Sequence, residues 1–115
     1  MLNLTTKEFE KTFEVQVEEC RNILIQKTKE YVLENDDRFK AFKLNWLSDK
    51  SINPKEVLWG QLVKHLNSIH DMCMINDKDY DAVMADKWVE KITDAINYLI
   101  ILRGIISDII TEEIK

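Results

Sequence analysis

Trp88-Val-Glu90-Lys-Ile92-Thr-Asp94-Ala95-Ile96-Asn97-Tyr98-Leu99 reads as an amphipathic helix, and Ile100-Ile-Leu102-Arg103-Gly104-Ile105-Ile106-Ser-Asp-Ile109-Ile110 continues it with apolar residues nearly all round. In the first half the buried face runs through Trp88, Ile92, Ala95, Ile96 and Leu99, at helical spacing. A helix on the surface of a globule does not carry aliphatics on every side. The second half is therefore expected to be the central helix of a bundle and an oligomer interface at once, because in a domain this small four helices cannot surround one of their own. Gly104 permits close helix approach there. The helix is expected to start within Asp81–Asp86 and to run to about Glu113.

Working back toward the N-terminus, Asn53-Pro54-Lys55-Glu56 is a strong helix start, with Asn as cap and Pro at the first turn. Leu58, Leu62, Leu66, Ile69 and Cys73 mark the expected buried face of that helix, which ends near Ile75. A polar loop, Asn76 to Asp81, follows it. At the other end of the chain, Thr5 and Glu8 fit a capping box. Phe9, Phe13, Val17, Cys20, Leu24 and Tyr31 then recur at the helical period, which predicts a long helix to about Glu34. Asn35-Asp36-Asp37 breaks it, and Arg38 to Leu47 predicts a short helix with Phe39, Phe42 and Trp46 on one side. The fold class is all-α: a bundle of three long helices plus one short helix in a single domain, 1–115.

Composition agrees. The 115 residues include only 2 Gly and 1 Pro, too few for the turns of an all-β fold. Net charge is -5, with 16 Lys and Arg against 21 Asp and Glu. No basic run appears, which argues against duplex nucleic acid as a partner. The longest apolar run, Tyr98 to Leu102, is cut by Arg103. It falls far short of the ~18 residues that span a bilayer. With no signal-like N-terminus, a cytoplasmic location is expected. Cys20 and Cys73 are expected as buried, reduced thiols.

Candidate chemistry is sparse. Asp77-Lys-Asp79-Tyr-Asp81 begins like a calcium loop, but Ala82 stands where Gly is needed and Trp88 where a bidentate Glu is needed. His65 and His70 point about 140° apart on a helical wheel, which argues against joint metal ligation. The informative feature is a pair of matched polar lines. Glu90, Asp94 and Asn97 lie at i, i+4, i+7, and Lys64, Ser68 and Asp71 repeat that spacing on the preceding helix. Each is read as lying opposite its helix's main apolar face. Yet the first runs on into Ile101 and Ile105, and the second is flanked by Val57 and Ile75, which a solvated face would not do. The expectation is that the lines converge on a polar cleft walled by apolar residues. Three carboxylates and one Lys there would leave excess negative charge, which Mg²⁺ bridging to phosphate would balance.

The segment Trp59-Gly-Gln-Leu-Val-Lys64-His65-Leu-Asn-Ser68-Ile-His-Asp71, with Trp88-Val-Glu90-Lys91-Ile-Thr-Asp94-Ala-Ile-Asn97-Tyr98-Leu and Asp36-Asp37-Arg38-Phe39-Lys-Ala-Phe42, resembles a group of small phage proteins. That group is similar to the MazG-like all-α nucleotide pyrophosphohydrolases and to the phage nucleotide-modification-associated domain. The likeness covers roughly residues 30–105. It implies a MazG-like bundle, commonly oligomeric, with a nucleotide-phosphate pocket between the two matched helices. In the hydrolases a Glu-x-x-Glu and a Glu-x-x-Asp hold Mg²⁺. Asp94 matches the last of these, but Glu90 stands four residues before it, and Lys64 and Ser68 occupy the region of the first pair, with Asp71 a turn on.

Three expectations follow from the resemblance and the residues together. The first is a nucleotide-binding protein of a phage-infected cell that sequesters a nucleotide or nucleotide-derived signal to counter host defence. Lys64, His65 and Arg38 would contact phosphate, Ser68 would stand beside them, and Asp94 and Asn97 would hold sugar or base. The second is a Mg²⁺-dependent nucleoside triphosphate pyrophosphohydrolase with Glu90, Asp94 and Asp71 as ligands. The third is a protein-interaction module that inhibits a host enzyme, anchored by Trp46, Trp59 or Phe42.

Overall fold

The computed structural model describes residues 3–31 and 53–114. They form three long helices and no strand: α1 (Thr6–Tyr31), α2 (Pro54–Cys73) and α3 (Ala82–Ile114), with a single 3-10 turn, Asp77–Asp79, between α2 and α3. The expected short helix with Arg38, Phe42 and Trp46 lies outside the described residues, as does any extension of α1 to Glu34. None of the described helices is long and apolar enough to cross a membrane.

Each helix begins where local chemistry satisfies its orphan amides. Thr5 and Glu8 form the reciprocal capping box. The Glu8 carboxylate accepts from the Thr5 amide at 3.0 Å, and the Thr5 hydroxyl accepts from the Glu8 amide at 3.1 Å. Asn53 caps α2, its side chain accepting from the Lys55 amide at 3.0 Å, with Pro54 in the first turn. Asp81 caps α3 in the same way, its carboxylate accepting from the Met84 amide at 2.8 Å. Asn and Asp suit this place because their short side chains reach an amide two or three residues on.

α2 and α3 form an antiparallel hairpin. The Tyr80 hydroxyl donates to the Met72 carbonyl at 3.1 Å, and its ring lies 6.3 Å from that of Trp88. Further up, His65 of α2 meets Tyr98 of α3. The inward stripe of α2 is Leu58, Leu62 and Met72, all buried, with His65 and Ile69 half-buried between them. Leu58 and Leu62 are 0% and 1% exposed. Each therefore contributes about 1.5–3 kcal/mol of apolar transfer. This corrects the expected face. Leu66 and Cys73 are exposed, because each lies one position round the helix from His65 and Met72. Cys73 is thus not a buried thiol, whereas Cys20 is.

α3 packs against α1 as well as α2 and is the central element. It is 33 residues long, and the long dimension of the molecule is 51 Å. At a rise of about 1.5 Å per residue the helix alone accounts for that length. From α1, only Cys20 is fully buried among the described side chains. The Gln16 amide donates to the Thr93 hydroxyl at 2.8 Å and to the Cys20 sulfur at 3.4 Å. Phe9, Phe13 and Val17, expected on the buried face of α1, are exposed instead, because α3 is the one described helix on which α1 packs extensively.

Candidate functional site

The two polar lines take different directions. On α2, Lys64 and Asp71 are exposed and Ser68 is half-buried, its hydroxyl donating to the Lys64 carbonyl at 3.1 Å. Asp71 keeps 85% of its side chain in solvent, 3.8 Å from the similarly exposed His70. On α3, Glu90 is exposed, Asp94 is half-buried and Asn97 is buried. Among the described residues no ion pair joins Lys64 to these carboxylates. Glu90, Asp94 and Asp71 are not gathered either, and no group of three or more described His, Cys, Asp or Glu residues is placed to hold a metal ion. Arg38 lies outside the described residues.

The reason is angular. On α2 the inward direction runs through Leu62 and His65. Lys64 lies about 100° round the helix from His65. On α3 the buried residues Thr93, Asn97 and Ile105 show that the line through Asn97 turns inward rather than lying opposite the core. Thr93 faces α1, and Tyr98 faces α2. A wheel puts Asn97 about 40° from Thr93 and about 100° from Tyr98. Asn97 therefore points toward the space where the three helices meet.

This interior carries unpaired polar groups. Asn97 is 5% exposed, and neither its Nδ2 nor its Oδ1 has a hydrogen-bond partner. The Nδ1 of His65 is likewise buried without one. The His65 ring lies 5.0 Å from that of Tyr98, tilted by 38°. A buried polar group left unpaired costs about 1–3 kcal/mol, so the Asn97 carboxamide alone is an appreciable stored cost. Thr93, 0% exposed and satisfied by Gln16, and Tyr98 belong to the same level; sequence reasoning did not single them out. The available signal was that Thr93 precedes Asn97 by one helical turn, on the same face.

Among the described residues, two apolar grooves flank α3. One, of about 550 Å³, lies between α1 and α3 and is lined by residues that include Phe13, Val17, Leu24, Ile25, Ile96 and Ile100. The other, of about 420 Å³, runs along α3 past Leu99, Leu102, Arg103, Ile106, Ser107 and Ile110. Asp77–Asp79, the expected false calcium loop, is a 3-10 turn capped by Asn76, whose side chain accepts from the Lys78 amide at 3.2 Å.

The fold and the interior together define an all-α protein with a polar level inside an apolar helix junction. Compared with family models, curated proteins and solved structures, the chain finds no match.

Proposed function

We propose that the protein captures a nucleotide, or a phosphorylated small molecule of similar shape, without cleaving it. The observation that supports this is Asn97, a buried carboxamide whose donor and acceptor are both unpaired. A carboxamide is complementary to the donor–acceptor edge of a nucleobase. A planar base also has an aromatic neighbour to stack on in the His65–Tyr98 pair. Exposed Lys64, next to His65 in sequence, is the cation for the phosphate end. The likeness to small phage proteins adds the role of withholding a nucleotide signal from host defence. The hydrolase alternative needs Glu90, Asp94 and Asp71 to share one Mg²⁺, and the exposed, ungathered Glu90 and Asp71 favour binding over cleavage.

Thermal melting against a nucleotide panel, with and without Mg²⁺, tests the reading. A ligand at roughly 100 times its Kd adds about 2.7 kcal/mol, and the shift should vanish in Asn97→Leu. Unchanged melting across the whole panel would discard capture, and pyrophosphate release that depends on Asp94 would replace it with the hydrolase.

One observation favours a second reading. Trp59 is 56% exposed on α2. An exposed Trp is what the anchor of an interaction module presents. In that case Trp59→Ala abolishes binding to a host enzyme and leaves any nucleotide response intact.

A further inference from the structure

α3 has apolar residues on three sides, and the described helices cover two of them. Thr93, Ile96 and Ile100 turn toward α1, and Tyr98 and Ile105 toward α2. On the wheel these two directions lie roughly 160° apart. Leu99, Leu102, Ile106 and Ile110 fall in the wider arc that remains. Leu99, Leu102, Ile106 and Ile109 are spaced three, four and three residues apart, which is the a/d seam of a heptad. A seam of that period is filled by another helix carrying knobs at the same spacing.

The open side continues onto α1. Ile100 lines the α1–α3 groove, and beside it Leu99 opens the second groove, so the two grooves border one surface. Phe13, Val17, Ile25, Leu99, Ile100 and Ile110 along it are each 39% to 63% exposed. Together they present roughly 500 Å² of apolar area, in the upper part of the roughly 300–600 Å² of the largest patch on a typical monomer. A standard interface takes about 800 Å² from each partner, so this patch supplies most of one side.

The chemistry of the face selects the occupant. Along α3 its grooves are lined by aliphatic side chains with Ser107 and one charge, Arg103, and on the α1 side Gln16 and Arg21 stand at the edge of an otherwise apolar lining. Transient partners are held by surfaces about as polar as the rest of the protein, whereas homodimer interfaces are more apolar and resemble a core cut in half. We propose that the occupant is a second copy of this chain, its α3 laid on this α3 in a two-fold pair, with the Phe13 edge of each α1 closing over the other copy. The proposal does not depend on nucleotide capture.

Sedimentation equilibrium of the full chain tests it. The expected mass is twice the 13.6 kDa of the chain. Leu99→Glu with Ile110→Glu should give a monomer of unchanged helical circular dichroism, since both side chains are already half in solvent. Trp59→Ala, on α2, should remain dimeric. A wild-type monomer at the highest soluble concentration overturns the proposal, as does a double variant that stays a dimer. Should the double variant unfold, Leu99→Cys together with Ile110→Cys in one chain, in a Cys73→Ser background, decides the question by oxidation, because a two-fold seam sets each position against itself or against the other. A disulfide-linked dimer supports the pairing, and its absence overturns it.

Discussion

His65 and Tyr98 meet across the α2–α3 hairpin with ring centroids 5.0 Å apart and planes tilted by 38°. The contact fixes the register of the two helices at the level where Asn97 turns inward. Aromatic pairs in such offset geometry contribute about 0.5–1.5 kcal/mol beyond the area they bury. A double-mutant cycle of His65→Leu and Tyr98→Leu, read by urea unfolding, should return a coupling in that range. A coupling near zero would show that the rings are merely adjacent.

Asn97 holds two unpaired polar groups in the interior. Asn97→Leu should stabilise the ligand-free protein by about 1–3 kcal/mol, because it removes both and keeps the side-chain volume. The urea midpoint should rise with no change in slope. A fall in stability would mean that the carboxamide is satisfied in solution, by water or by a co-purified molecule.

The Gln16–Thr93 hydrogen bond ties α1 to α3 at a fully buried hydroxyl. Gln16→Leu should cost about 1 kcal/mol. Thr93→Val, which removes the buried hydroxyl itself and keeps its shape, should cost less. The order of the two midpoints in urea checks this, and equal losses would contradict it.

Gly60 sits in the middle of α2 with nothing within 4 Å of where its Cβ would stand. Gly60→Ala therefore gains helix propensity without a clash and should stabilise by about 0.5–1 kcal/mol, a melting rise of a few degrees. A lower melting temperature would mean that another surface approaches Gly60 in solution.

The helix starts were legible because they are local. Thr5 with Glu8, and Asn53 with Pro54, satisfy amides within one turn, so the pattern in the chain is the contact in the fold. The facing of each helix was harder. Leucine spacing on α2 pointed to Leu66 and Cys73, yet His65 and Met72 took the inward positions. A single-helix pattern gives relative angles; the direction of the core comes from the neighbouring helix. The same limit explains the polar lines. The line from Glu90 into Ile101 and Ile105 turns inward only part of the way along: Glu90 is exposed, whereas Asn97 and Ile105 are buried. The equivalent line on α2 shared its spacing but turned to solvent at Lys64 and Asp71, because Leu62 and His65 had already occupied the side toward α3.

The tie from Tyr80 to Met72 and the Asp81 cap close the α2–α3 hairpin through contacts near in sequence, whereas α1 reaches α3 through pairs as distant as Gln16 and Thr93. Chains collapse fastest where contacting residues are close along the backbone. The hairpin should thus assemble first, with α1 arriving afterwards on a preformed platform. Pulse-labelled hydrogen exchange during refolding would register this as amide protection in α2 and α3 that precedes protection in α1.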